Sequence, residues 1–140
     1  MTTGPSHTFE EHTGELRLRL DAPTVEGLFV EAARALAELA VGTDERLPEP
    51  EGEPEPVRLE SVDREALLVD WLNELIFRTE IDGKAYVDCR LARIDESTLE
   101  ATIRGASHPA LRPLVKAATL HGVHITEKPH GYSVTVILDI

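Results

Sequence analysis

The stretch that decides the fold is VTVILDI, residues 134–140, at the end of the chain. Successive residues of a strand point to opposite faces of a sheet, so Val134, Val136 and Leu138 are predicted to share one face. The other face also carries an apolar residue, Ile137. A strand that is apolar on both faces is typical of the interior of a sheet, so the last strand is predicted to be central.

Two hairpins are predicted, one that ends in this last strand and one earlier in the chain. Alternating residues 123–127 lead through KPHG, residues 128–131, into residues 132–139, and the connecting segment is rich in turn formers. Two earlier alternating segments, residues 86–91 and 99–104, are predicted to form a second hairpin.

Two amphipathic helices are predicted in the first half of the chain. Residues 24–41 repeat apolar side chains at helical spacing, with Thr24 as the N-cap and Gly42 just after the end. A second helix follows Asp63, another good N-cap, and its apolar stripe contains the single tryptophan of the chain, Trp71. A tryptophan on such a stripe is predicted to be a core anchor.

Short alternating strands, residues 15–21 and 57–62, precede the two helices. The order β-α-β-α followed by several strands favours the α+β class, with a mixed β-sheet packed against two main helices in one domain, residues 1–140. Residues 1–6 are predicted to be frayed. The proline- and glutamate-rich residues 47–56 are predicted to be a mobile loop inside that domain.

Composition excludes several classes of function. The formal net charge is -12, from 26 acidic and 14 basic side chains, which argues against direct nucleic-acid binding. No apolar run is long enough for a signal peptide or a membrane span, so we expect a cytoplasmic protein. The single cysteine, Cys89, lies in an alternating apolar segment and is predicted to be a small core residue. Standard catalytic motifs are absent.

Acidic groups cluster near both ends of the chain. Asp139 lies at the rim of the predicted sheet, one residue before the terminal carboxylate of Ile140, and anions this close repel unless a cation or donor lies between them. Residues 10–15, EEHTGE, supply carboxylates, an imidazole and a hydroxyl just before a strand. The residues alone leave two interpretations open, a solvated polar surface or an acidic cation site.

Segments spread along the chain together resemble the archease family. They are EHTGE at residues 11–15, LLVDWLNELI at residues 67–76, and a last block made of VKAATLHG at residues 115–122 and VTVILDI at residues 134–140. The resemblance covers the chain from His7 to its end, including the order of the helices.

The resemblance implies a protein cofactor for an RtcB-type RNA ligase, the GTP- and metal-dependent enzyme that joins RNA ends in tRNA splicing and repair. Such a protein is not itself an enzyme; it promotes guanylylation of the ligase and lets it turn over repeatedly. The alternatives are a stand-alone metal-dependent phosphoesterase and a chaperone-like protein-binding module. The oligomeric state is not set by the sequence.

The resemblance also implies a divalent-metal site made by Glu15, Asp139 and the terminal carboxylate of Ile140. Hard oxygen ligands of this kind suit calcium, with magnesium or manganese as alternatives. The family pattern His-Thr-Ala-Asp reads His-Thr-Gly-Glu here, so Glu15 extends the carboxylate by about 1.5 Å. A flexible calcium shell tolerates this better than a strict octahedral magnesium site does.

Other polar residues of the shared segments are weaker candidates. Lys116 and His121 are considered for contacts with the ligase or with nucleotide phosphate, and His12 is a further candidate functional residue. Asn73 and Glu74 are polar neighbours on a largely apolar stretch of the second helix, and a structural hydrogen-bonding role is expected for both.

Overall fold

The computed structural model describes residues 4–140, which form two α-helices and eight β-strands. The predicted α+β class is confirmed. The elements in chain order are β1 (Ser6–His12), β2 (Glu15–Ala22), α1 (Val25–Val41), β3 (Glu55–Glu60), α2 (Arg64–Asp82), β4 (Ala85–Ile94), β5 (Thr98–Ala106), β6 (Ala117–Thr119), β7 (Thr126–Lys128) and β8 (Gly131–Asp139).

The strands form two antiparallel sheets, in place of the single mixed sheet that the sequence predicted. The larger sheet has the order β1-β2-β8-β6, with β7 also paired to β8, and the smaller has the order β3-β5-β4. Three neighbouring strand pairs, β1-β2, β4-β5 and β7-β8, are hairpins, and a hairpin is necessarily antiparallel. The strand β3 pairs with β5 of the β4-β5 hairpin, and these three strands form the smaller sheet.

The last strand is central, as predicted. β8 pairs with β2 along one edge and with β6 and β7 along the other. Val134, Val136 and Leu138 are buried on its inner face. The start of β8 also requires glycine, because a Cβ atom at Gly131 would lie 2.4 Å from the carbonyl oxygen of Ala22.

Both predicted helix N-caps are confirmed. The Thr24 hydroxyl accepts a hydrogen bond from the Gly27 amide at 3.0 Å, and the Asp63 carboxylate accepts one from the Ala66 amide at 2.8 Å. These side chains satisfy amides that have no partner inside the helix. Gly42 follows α1 at the predicted position, and its amide donates to the Glu38 carbonyl.

Trp71 is the anchor that joins the two helices, as predicted. Its side chain is fully buried, and its indole N–H donates to the Phe29 carbonyl of α1 at 2.8 Å. The surrounding core cluster draws residues from both helices and both sheets. No helix within residues 4–140 combines the length and apolarity that crossing a membrane needs.

Ser6, the last residue of the segment predicted to be frayed, belongs to β1, while residues 1–3 lie outside the described residues. The strand β1 escaped prediction because its side chains are mostly polar. His7 attaches it to α1, with Nδ1 at 2.5 Å from Glu31 and Nε2 at 3.0 Å from Glu38. Charged and polar contacts between strand and helix replace the apolar alternation that marks the other long strands.

The proline- and glutamate-rich segment has more structure than predicted. Glu55 and Pro56 already belong to β3, where they pair with β5. The Glu51 amide donates to the Gly105 carbonyl at 2.9 Å, and its carboxylate accepts from the Ser107 amide at 2.9 Å. The hydrogen bond from the Ser107 amide lowers the pKa of the Glu51 carboxylate. These contacts attach the middle of the loop to the end of β5.

The predicted terminal hairpin is shorter than expected. β7 covers only Thr126–Lys128, and residues 123–125 leave the sheet. The Ile125 amide donates to the Glu65 carboxylate of α2 at 3.1 Å, so it has a side-chain partner in place of a strand partner.

We predict that Leu138→Ala lowers the free energy of unfolding by about 2–5 kcal/mol, because it opens a cavity in the core beneath a central strand. The matched control is Thr135→Val on the exposed face of the same strand, which should change it by less than about 0.5 kcal/mol. Urea denaturation measures both. Equal effects would contradict the burial of the inner face of β8.

We also predict that Cys89 reacts slowly with alkylating reagents. Burial raises the pKa of the Cys89 thiol to about 12, and the nearby Asp88 carboxylate adds to this. Since only the thiolate reacts, alkylation at pH 8 should be about 10³-fold slower than that of free cysteine, whose pKa is about 8.5. The rate should recover in denaturant. A native rate equal to that of free cysteine would contradict the prediction.

Candidate functional site

The candidate site begins at the tight turn between β1 and β2. Thr13 and Gly14 connect His12 directly to its register partner, Glu15. Gly14 has a φ of 71°, a left-handed conformation that glycine adopts without steric cost. The turn within the polar residues 10–15 is therefore two residues long, and the rest of that cluster lies on paired strands.

The register of the larger sheet brings the two ends of the chain together. Glu15 of β2 lies directly opposite Asp139 of β8, and Asp139 in turn lies opposite Ala117 of β6. His12, Glu15, Asp139 and Ala117 thus form one cross-strand row. The row lies on the face opposite the buried Leu16 and Leu138, so its side chains point away from the core.

Backbone hydrogen bonds hold the C-terminus at the end of this row. The Ile140 amide donates to the Gly14 carbonyl at 3.3 Å, and the Lys116 amide donates to the Asp139 carbonyl at 2.7 Å. The last residue is therefore held between the β1-β2 turn and the segment that enters β6. The structure thus brings together all three residues that the resemblance implies as ligands: Glu15, Asp139 and Ile140.

The electrostatics of the row are unfavourable without a counter-charge. Directly opposed residues have Cβ atoms about 4.5–5.5 Å apart, and like charges in such pairs destabilise a sheet. None of the ion pairs formed among residues 4–140 involves Glu15 or Asp139. The nearby imidazole of His12 is paired with Glu10, at 2.9 Å.

The candidate ligand atoms at this end of the sheet are oxygen atoms, which suit a hard divalent cation. Among residues 4–140, no group of three or more His, Cys, Asp and Glu side chains is arranged to hold a metal ion. Two side-chain carboxylates, from Glu15 and Asp139, are available at the row. A third protein ligand would have to be the terminal carboxylate of Ile140, which belongs to the backbone.

The weaker candidates lie at different distances from the row. His12 belongs to it, and Lys116 lies next to Asp139 through its backbone amide. His121 does not lie beside the row. β6 runs antiparallel to β8, so the chain moves away from Asp139 after Ala117 and reaches His121 beyond the end of β6. His121 is exposed in the turn that follows β6.

The structural role expected for Asn73 and Glu74 is confirmed. The Asn73 side-chain amide donates to the Ala118 carbonyl at 3.1 Å and accepts from the Ala118 amide at 2.8 Å. Glu74 accepts from Arg78 at 2.7 Å, one helical turn along α2. In the sequence, Asn73 stands out as a polar residue on a largely apolar stretch of helix. Nothing in the sequence indicates that its hydrogen-bond partner is Ala118 of β6.

Comparisons with known proteins agree with this architecture. The sequence matches the Archease protein family (MTH1598/TM1083) over residues 7–140. Protein archease of Methanopyrus kandleri is 34% identical, over 93% of this chain and 96% of its own. The solution structure of protein 1598 from Methanobacterium thermoautotrophicum has a TM-score of 0.71 at 29% identity, covering 96% of this chain and 98% of that one. The crystal structure of a Thermotoga maritima archease, described as a possible chaperone, has a TM-score of 0.59 at 20% identity, covers 94% of each chain, and supports the fold.

The opposed carboxylates generate a prediction that needs no ligand. Glu15→Gln and Asp139→Asn each remove one charge from the pair with little change of shape. In the presence of a chelator, each should raise the free energy of unfolding by about 0.2–1 kcal/mol, because like charges no longer face each other across the strands. Urea denaturation in EDTA at pH 7 measures this. Glu127→Gln, at an exposed position of β7, is the control and should have no such effect; destabilisation by both site variants would contradict the repulsion.

Proposed function

The chain belongs to the archease family, and on that basis we propose that it is a non-catalytic protein cofactor of an RtcB-type RNA ligase in tRNA splicing and RNA repair. In this role it promotes guanylylation of the ligase and supports multiple turnover. We place it in the cytoplasm with that partner, and we assign its cation preference to calcium, with magnesium and manganese as the alternatives.

One observation carries the proposal: Glu15, Asp139 and the C-terminal residue meet at one end of the central strands of the larger sheet. Two carboxylates that face each other, with no basic ion-pair partner among residues 4–140, form a site of unbalanced negative charge. A divalent cation offsets that repulsion, and oxygen donors are the ligands it prefers. The departure from the family pattern at Glu15 preserves the charge, and its carboxylate still belongs to the same cross-strand row.

The role of the chain's own residues is to hold acceptor groups in place at a partly exposed end of the larger sheet. Glu15 and Asp139 would bind the cation through their side chains, and Ile140 through its terminal carboxylate. When bound, the cation supplies positive charge that attracts phosphate oxygens. These residues would therefore act in an accessory role, beside the active site of the ligase.

We predict that the purified protein accelerates guanylylation of its cognate ligase by GTP, measured as ligase labelled per unit time with limiting accessory protein. Glu15→Ala and Asp139→Ala should lose this stimulation, because each removes one cation ligand. A two-residue Gly-Ser extension after Ile140 should also lose it, since the terminal carboxylate moves away from the row.

Glu127→Ala supplies the matched control, because it removes an exposed carboxylate from the same sheet at a distance from the row. This variant should stimulate the ligase as the wild type does. Circular dichroism and thermal unfolding verify that every variant folds. Absence of stimulation by the wild-type protein would overturn the proposed function.

A chaperone-like binding module is the second candidate. The Thermotoga protein is described as a possible chaperone, and α2 here exposes two large apolar side chains one turn apart, Phe77 at 59% and Ile81 at 66%. Exposed apolar surface of this kind binds unfolded chains. Suppressed aggregation of unrelated proteins, independent of divalent cations, would favour this function over ligase activation.

A further inference from the structure

The α2 helix and the short strand β6 are joined by a pair of hydrogen bonds through Asn73. Its side-chain amide makes both bonds to one residue, donating to the Ala118 carbonyl and accepting from the Ala118 amide. A carboxamide that bonds both backbone groups of a strand residue occupies the place that a neighbouring strand would take.

β6 depends on this contact because it is short and lies at the edge of the sheet. It spans only Ala117–Thr119, and β8 is its sole strand neighbour among the described residues. Ala118 is buried, and both of its backbone polar groups point toward α2. Buried backbone groups need partners, and Asn73 supplies them for the Ala118 amide and carbonyl at this edge of the sheet.

The strand β6 also lies directly beside the candidate site. Ala117, next to Ala118, is the register partner of Asp139, and the Lys116 amide donates to the Asp139 carbonyl at 2.7 Å. Asp139 is therefore held between β2, which carries Glu15, and β6, which is held by Asn73. Hydrogen bonds thus connect α2 to β6 through Asn73, and the segment that enters β6 to the backbone of Asp139 through Lys116.

We infer that Asn73 is a positioning residue for the carboxyl-terminal site, acting through β6 on Asp139 and Ile140. This inference rests on the proposed function, because it assumes that the site binds a divalent cation. Groups that orient metal ligands from outside the coordination shell commonly change affinity by about 10–100-fold when they are removed. Asn73 touches no ligand itself, so it acts by holding the strand that holds the ligands.

The test uses the full-length protein and calcium alone as the probe. Calorimetric titration gives the calcium concentration at half saturation for the wild type and for Asn73→Ala, and calcium-dependent thermal stabilisation gives a second measure. Asn73→Ala should raise the half-saturating concentration about tenfold or more. The matched control is Tyr86→Phe, which removes hydrogen bonds to Asp82 and Glu55 at the smaller sheet and should leave that concentration unchanged.

The two ways of failing are distinguishable. If the wild type binds neither calcium nor, in separate titrations, magnesium or manganese, the proposed function fails, and this inference fails with it. If the wild type binds calcium and Asn73→Ala binds it equally well, only the positioning role is overturned. A tenfold loss in Tyr86→Phe as well would assign the effect to general destabilisation and would also overturn the positioning role.

Asn73→Asp keeps the test decisive if the alanine variant does not fold. It retains the size of the side chain and the bond from the Ala118 amide, but it places a second oxygen against the Ala118 carbonyl. The added negative charge by itself would strengthen calcium binding, whereas loss of positioning weakens it. A higher half-saturating concentration supports the inference, and a lower or unchanged one overturns it.

Discussion

The pairing of β8 between β2 and β6 is the constraint on which the rest of the structure depends. Leu138, Val136 and Val134 anchor the inner face of this strand in the core beneath the helices. Since side chains alternate along a strand, a slip of one residue would move this whole set to the outer face and bring Asp139 into the core. The cost of burying that carboxylate keeps a single register.

The same register creates the candidate site. Glu15 and Asp139 face each other because Leu16 and Leu138 must face each other beside them, on the opposite side of the sheet. Burial of the apolar residues therefore places two carboxylates, those of Glu15 and Asp139, opposite each other beside the core. Unfavourable electrostatics that the fold imposes are common at functional sites, and the proposed cation would offset the repulsion here.

Local signals in the sequence predicted the elements that depend on local chemistry. Thr24 and Asp63 marked the helix starts because an N-cap bonds amides within its own turn. Trp71 was predicted as an anchor because it lies on an apolar helical stripe. The strand β1 escaped because its side chains are mostly polar, and the partners of its His7, Glu31 and Glu38, come from a helix distant in sequence. The division into two sheets escaped because strand partners are chosen by packing across the whole chain.

For the candidate site, the sequence by itself determined which residues are charged, which strands alternate and which family the chain resembles, since these are properties of short segments. It placed Asp139 next to the terminal carboxylate through covalent connection alone. Only the tertiary structure decided that Glu15, near the other end of the chain, lies opposite Asp139, and that Asn73 holds β6 through Ala118. Those contacts depend on strand register and helix docking, which are set by burying the whole core at once rather than by any local pattern of residues.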